Sequence, residues 1–226
     1  MLITIERVLS DSDLLHIATH LEGARWRDGR ETAAGPAQQV KHNLQLDPDS
    51  TAMAAIRSVV LRRLQASVLF QSAALPRHIF PPLVNCHRDG GEYGLHTDSA
   101  VMTLGDGTPM RSDLSATVFL TAPQDYSGGD LVIESSFGAQ SIKLEAGDMV
   151  LYPSSSLHCV NPVVSGSRIA ACFWVQSLLA DAQQREQLFE LDQAIQSLTQ
   201  ERGLQCPQVQ RLTAVYHNLV RMWAAP

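Results

Sequence analysis

Residues 11–21 (DSDLLHIATHL) set Leu14, Leu15, Ala18 and Leu21 on one face at helical spacing. Ser10 stands just ahead of them, and Asp13 follows it by three, an approximate capping box that marks a helix start. A second stripe, Met53, Ile56, Val60 and Leu64, keeps nearly the same period. Asp47 followed by Pro48 reads as its N-cap and first helical residue. Between the two, residues 27–41 (RDGRETAAGPAQQVK) read as a loop.

From about residue 68 the period shortens. VLF, HIFPPLV, SATVFLTA, GGDLVIES, QSIKLEAG, GDMVLYPS, HCVNPVV and SRIAACFWVQS are short runs rich in β-branched and aromatic residues. Turn signals separate them, such as Asp89-Gly90-Gly91, Ser127-Gly128-Gly129 and Ser165-Gly166-Ser167. Many short strands so closely spaced predict a sandwich or jelly roll. After about residue 178 the helical period returns in Leu188, Leu191, Ile195 and Leu198, and a last helix is predicted from Val209 to Trp223. Helices, then strands, then helices describe an α+β fold in which helices support one side of a β core. The seam within residues 183–199 has two uses. It can join a second copy as a homodimer, or it can pack on the chain's own barrel.

Composition narrows the function. The 226 residues are 45% hydrophobic and 18% charged, the balance of a globular domain rather than a disordered chain. Seventeen basic against 23 acidic side chains leave a formal charge of −6 with no basic cluster, which argues against nucleic-acid binding. No apolar run approaches the roughly 20 residues of a membrane span. The opening MLITIERVLSDSD lacks the basic and apolar regions of a signal peptide. Four scattered cysteines without a CxxC read as free thiols. A cytoplasmic protein is the expectation.

The sharpest chemical cluster is His96-Thr97-Asp98, with His158 sixty positions after Asp98 and Arg168 ten further on. Two imidazoles and one carboxylate on one face of a metal ion leave its other positions open, the facial triad of non-haem Fe(II) oxygenases. Residues i and i+2 of an extended segment point to one side, so His96 and Asp98 can converge on one ion. The bland reading competes, because a lone His-x-Asp usually just faces solvent and the chain contains a second one, His87-Arg88-Asp89. That second motif runs into Gly90-Gly91 and reads as a turn that splits its side chains. Arg168 lies in an apolar run, where a guanidinium needs a partner. The partner is either a neighbouring protein carboxylate or the distal carboxylate of a bound dicarboxylate. Ser154-Ser155-Ser156 beside His158 lacks the G-x-S-x-G of a hydrolase nucleophile.

Three blocks, RSDLSATVFLTAPQDYSGGDLVIES, KLEAGDMVLYPSSSLHCVNPV and SRIAACFWVQSLLADAQQREQLFELDQAI, resemble the bacterial PKHD-type hydroxylases. These are prolyl-4-hydroxylase-like Fe(II)/2-oxoglutarate dioxygenases, some linked to iron uptake. VLSDSDLLHIATHLEGARWRDGR, QVKHNLQL and LPRHIFPPLVN extend the resemblance over nearly the whole chain. It implies a double-stranded β-helix, a jelly-roll variant. The organisation would be a helical support region at 1–77, a dioxygenase jelly-roll domain at 78–178 and C-terminal helices at 179–226, all one unit. It implies Fe(II) held by His96, Asp98 and His158, with 2-oxoglutarate bound by Arg168. O₂ would be the oxidant and L-ascorbate a reductant. The expected reaction is hydroxylation of an unidentified small molecule or peptide, with release of succinate and CO₂. The alternatives are a non-catalytic module holding a metal or small acid on the same barrel, and a zinc or manganese cupin-like isomerase. One departure stands out. Relatives often carry Asn-Arg-Tyr where this chain reads Asn85-Cys86-His87, so His87 occupies the place of a tyrosine that contacts the cosubstrate. Tyr93 either takes part of that role or belongs to the core.

Overall fold

A computed structural model of the chain describes residues 1–32, 35–135 and 137–225. Strand β1 (Ile3–Ile5) leads into α1 (Asp11–Leu21). The capping box forms as expected: Asp13 N–H donates to Ser10 Oγ (3.3 Å), and Ser10 N–H donates to Asp13 Oδ2 (2.9 Å). Residues read as a loop hold more order than predicted, with β2 (Trp26–Asp28), a 3₁₀ turn, the one-turn helix α2 (Pro36–Gln39), and then β3 (Lys41–His42) and β4 (Leu44–Leu46). Helix α3 (Thr51–Ala66) begins later than Asp47 and Pro48 predicted. Ser50 caps it by accepting from Met53 N–H at 3.1 Å. Asp47 is taken instead by Arg27 (2.7 Å) and Arg25 (3.1 Å), so its carboxylate is committed before the helix starts. Val68-Leu69-Phe70 also departs from the strand reading. It opens α4 (Val68–Ala74), capped by Ser67 and burying Phe70, Ala73 and Ala74. A three-residue apolar run cannot distinguish the two periods.

Beyond α4 lie β5 (Pro76–Ile79), β6 (Leu83–Arg88), β7 (Glu92–His96) and the hairpin β8 (Val101–Thr103) and β9 (Pro109–Arg111). The next strands are β10 (Leu114–Phe119), β11 (Tyr126–Gly128), β12 (Leu131–Ser135) and β13 (Gly138–Ile142). β14 (Met149–Pro153), β15 (His158–Val160) and the long β16 (Val163–Ser177) complete the β region. Helices α5 (Ala182–Arg202) and α6 (Pro207–Trp223) end the described chain.

The major sheet runs β1-β14-β10-β16-β6-β4-β2, and the minor sheet runs β13-β12-β15-β7-β3, every pairing antiparallel. These are the two walls of a jelly roll. Residues before 78 therefore do more than support it, since they supply β1, β2, β4 and the start of β5 to the major sheet and β3 to the minor one.

Alternation in the central strands separates two cores. Leu114, Ala116 and Val118 of β10 join Ala171, Phe173 and Val175 of β16 in a core shared with α1, α3 and α4. Phe119, Val150 and Tyr152 point the other way, into the roll, against Leu131, Ile133 and Val160 of the minor sheet. Arg168 shares the inward parity of β16, so the helical core cannot shield it and only the interior of the roll receives it. No helix among the described residues is long and apolar enough to cross a membrane.

Candidate metal centre

His96 ends β7 and His158 begins β15, and the antiparallel register sets them directly opposite one another. Their ring centroids are 4.3 Å apart. Asp98 follows two residues past His96, where the chain has left the strand. His96 Nε2 lies 3.9 Å from Asp98 Oδ1, and His158 Nε2 lies 3.7 Å from Asp98 Oδ2. One ligand atom from each of the three falls within 4.8 Å of the others, the only such His/Cys/Asp/Glu group among the described residues.

Both imidazoles are aimed by the backbone. His96 Nδ1–H donates to the Gly94 carbonyl (2.7 Å), and His158 Nδ1–H donates to the Ser156 carbonyl (3.0 Å). A carbonyl only accepts, so both Nδ1 atoms carry the proton and both Nε2 lone pairs face the centre. Gly94 is required there, because a Cβ would sit 2.8 Å from Val40 Cβ. Asp98 Oδ2 accepts from the Ser115 hydroxyl (2.6 Å), whose oxygen lies 2.8 Å from Ser154 Oγ. Ser154 thus belongs to the support of the carboxylate. Burial, and then the neighbouring His158, push His96 down to about 4, so its imidazole is neutral and ready to coordinate. Tyr93 stacks on it at 3.6 Å between centroids. Two imidazole nitrogens, one carboxylate and hydrogen-bonded supports fit a divalent first-row metal such as Fe(II).

The triad opens into a cavity of about 210 Å³ lined from both sheets. Arg168 enters from the major sheet with 1% of its surface exposed. Its Nε and Nη2 have no hydrogen-bond partner, and its guanidinium carbon stands 5.2 Å over the Phe119 ring. Gly129, at φ +70°, leaves room for its stem, since a Cβ there would come 3.1 Å from Arg168 Cδ. No protein carboxylate pairs with this guanidinium among the described residues. A buried fork donor without a partner is the arrangement expected of an anion site rather than of a structural salt bridge. Its cross-strand partner is His87, also in the cavity wall and only 3% exposed, with both ring nitrogens unpartnered. Burial first, then the charges of Arg168 and Lys41, hold His87 well below its ordinary value and keep it neutral.

The second His-x-Asp motif is split differently from the sequence reading. His87 and Arg88 are still strand, and the turn begins at Asp89, whose φ is +53°. The backbone reversal sends His87 inward and leaves Asp89 in solvent. Cys159 is half-buried, and its nearest polar partner is Asn161 rather than the triad. Sequence reasoning missed Lys41, Asn43, Gln45, Asn85 and Ser115, which also line the cavity. The first four lay in or beside an assumed loop or inside an apolar strand run, where no spacing pattern singles out a polar side chain.

Residues 82–176 match the family model described as the 2OG-Fe(II) oxygenase superfamily. Residues 181–225 match the PKHD-type hydroxylase C-terminal domain. A PKHD-type hydroxylase of Acidovorax ebreus is 50% identical over 227 residues, covering 100% of both chains. One of Teredinibacter turnerae is 49% identical over 225 residues, 99% of each. Among solved structures, a prolyl hydroxylase from Trichoplax adhaerens superposes with a TM-score of 0.54 at 16% identity, over 77% of this chain and 82% of that one. The non-heme alpha ketoglutarate dependent carbocyclase SnoK, from nogalamycin biosynthesis, gives 0.57 at 15%, over 78% and 79%. These two likenesses establish the jelly-roll fold.

Proposed function

The chain belongs to the PKHD-type hydroxylase family, and from that premise we propose that His96, Asp98 and His158 hold its Fe(II) and Arg168 its 2-oxoglutarate. As a member of the 2OG-Fe(II) oxygenase superfamily it is an Fe(II)- and 2-oxoglutarate-dependent dioxygenase that uses O₂. When bound, the iron supplies the redox chemistry by which O₂ converts 2-oxoglutarate to succinate and CO₂ and a substrate C–H to C–OH.

The observation that carries the site assignment is the convergence of three ligand atoms whose Nδ1–H and carboxylate supports are already in place. The protein's part is positional. Gly94 and Ser156 carbonyls fix the two imidazole tautomers, and Ser115 fixes the carboxylate. Arg168 offers two N–H donors in one plane, which matches the distal carboxylate of a dicarboxylic acid. Tyr152, edge-on to His158 at 5.2 Å, and Phe119 beneath the guanidinium place apolar ring surface against the triad and against Arg168.

L-Ascorbate as the reductant that keeps the iron ferrous belongs to the same proposal, on the family resemblance. So does the cytoplasm as its compartment, where the four cysteines would stay the free thiols they are here. Anaerobic addition of Fe(II) and 2-oxoglutarate should give a metal-to-ligand charge-transfer band, and admitting O₂ should form succinate. A band without succinate would favour the non-catalytic binding module. No succinate with iron, together with turnover that needs zinc or manganese but no 2-oxoglutarate, would favour the cupin-like isomerase.

A further inference from the structure

Lys41 is 6% exposed and lines the cavity from β3, the edge strand of the minor sheet, opposite Tyr93 of β7. Its ammonium donates to one neutral acceptor, Thr32 Oγ1 at 3.0 Å, and lies 5.3 Å from the Tyr93 ring centroid. Among the described residues no carboxylate comes within ion-pair distance of it. A buried ammonium with three donors and one partner is costly unless something else completes its shell. The other wall of the same cavity, β6 of the major sheet, repeats the theme. Asn85 Oδ1 is saturated by Asn43 Nδ2 (3.2 Å) and Gln45 Nε2 (2.9 Å), which leaves the Asn85 N–H₂ group as a further donor without a protein acceptor among the described residues.

Charge counting points the same way. Lys41 and Arg168 bring two positive charges to the cavity, and Asp98 is the one carboxylate that lines it among the described residues. A divalent metal and the dianion of 2-oxoglutarate cancel each other. The loaded cavity therefore keeps one uncompensated positive charge in a water-poor space, and a monoanion balances it.

We propose that Lys41 and Asn85 form a carboxylate subsite for the primary substrate, which is therefore a carboxylic acid: an amino-acid derivative or the acid-bearing end of a peptide. This rests on the metal and 2-oxoglutarate sites proposed above. A single carboxylate matches the residual charge, whereas a dianionic phosphate would overshoot it. Recognition through a charge-assisted hydrogen bond also disfavours the neutral amide of the same molecule, because its carbonyl accepts from the ammonium without balancing the charge.

The test uses the full chain loaded with Zn(II) and 2-oxoglutarate, which cannot turn over. A panel of N-acetyl amino acids and their primary amides is titrated by saturation-transfer NMR. The acids should bind at least about tenfold tighter than the matched amides. Lys41→Met should close that gap, Lys41→Arg should keep it, and in both variants the 2-oxoglutarate dissociation constant should stay within about twofold of the parent. Equal binding of acids and amides by the parent protein would overturn the proposal, as would a gap that survives Lys41→Met. A Lys41→Met protein that loses 2-oxoglutarate as Arg168→Leu does would overturn it too, by placing Lys41 in the cosubstrate site. A parent protein that fails to bind Zn(II) or 2-oxoglutarate at all would instead refute the site assignment beneath it.

Discussion

Replacing Arg168 by leucine separates binding from stability in a way few substitutions do. The guanidinium is 1% exposed, and two of its three nitrogens have no hydrogen-bond partner. Without ligand it is a desolvated charge offset mainly by the face of Phe119 at 5.2 Å, a contact worth about 0.5–2 kcal/mol. Removing an unpaired buried charge and filling the space with an apolar side chain is commonly neutral or stabilising by about 1–4 kcal/mol. The ligand-free Arg168→Leu variant should therefore melt no lower than the parent. Its 2-oxoglutarate affinity should move the other way. A bidentate charge-assisted contact is worth about 1.5–3 kcal/mol, a factor of about 10–150 in dissociation constant. Anaerobic calorimetric titration of the Mn(II)-loaded proteins reads that constant, and scanning calorimetry of the ligand-free proteins reads the melting temperature. An unchanged dissociation constant would refute the cosubstrate role. A melting temperature several degrees lower would show that Arg168 supports the ligand-free fold and is not an uncompensated charge.

Ser115→Ala removes the donor to Asp98 Oδ2 and should weaken Fe(II) affinity by about 10–100-fold while leaving the fold intact, as metal titration with a chelator will show. Asp13 is an internal control far from chemistry. Burial alone would raise its carboxyl, but hydrogen bonds from Ser10 and Arg63 outweigh that and hold it at about 2. Its folded value lies below the unfolded one, so its contribution is present above about pH 4 and fades as the pH falls towards 2. Asp13→Asn should cost about 1–2 kcal/mol in urea melts at pH 7 and much less at pH 2. The homodimer through residues 183–199 is a proposal with a narrowed surface, because Leu188 and Ile195 are buried within the chain and only Leu191 and Leu198 are left half-covered. Light scattering at micromolar concentration should find the dimer mass, and a clean 24.7 kDa species rejects it.

Most of the fold was legible because period and turn residues agreed over long stretches. The capping box at Ser10, strands β10, β12, β14 and β15 and both C-terminal helices lie where pattern predicts them, whereas Ser165-Gly166-Ser167, which reads as a turn, is bridged by the continuous β16, and Ser127-Gly128 belongs to β11. Reading failed where tertiary contacts decide. Asp47 looks like a cap in sequence, but two arginines from β2 and the segment before it claim its carboxylate. Residues 27–41 carry loop composition, yet they deliver β3, whose only distinction is its place beside β7. The triad was legible because i and i+2 spacing is local and the distal histidine follows an apolar strand. Lys41 was not, since what marks it is the absence of a partner, and absence of a partner exists only in three dimensions.

The two His-x-Asp motifs give the most direct test of that spatial reasoning, since composition alone ranks them equally. His96 ends a strand and Asp98 follows in an extended segment, so both turn to the same side and meet His158 across the register. At the other motif the chain reverses at Asp89 through a left-handed residue, so His87 faces the cavity while Asp89 is 90% exposed. His87 therefore lacks a carboxylate partner and stands beside Arg168 instead. Truncating His96 leaves two ligands, and His96→Ala should purify without iron and show no turnover. Truncating His87 removes at most one neutral N–H donor, worth about 0.5–1.5 kcal/mol, so His87→Ala should keep full iron and bind 2-oxoglutarate at most about tenfold more weakly. The family resemblance implies a cosubstrate-contacting tyrosine at this place, so on that reading His87→Tyr should recover that loss and His87→Phe should not. Iron stoichiometry on the purified variants separates the motifs without any assay of turnover. An iron-free His87 variant beside an iron-loaded His96 variant would reverse the assignment, and with it the inference that strand register selects the ligands.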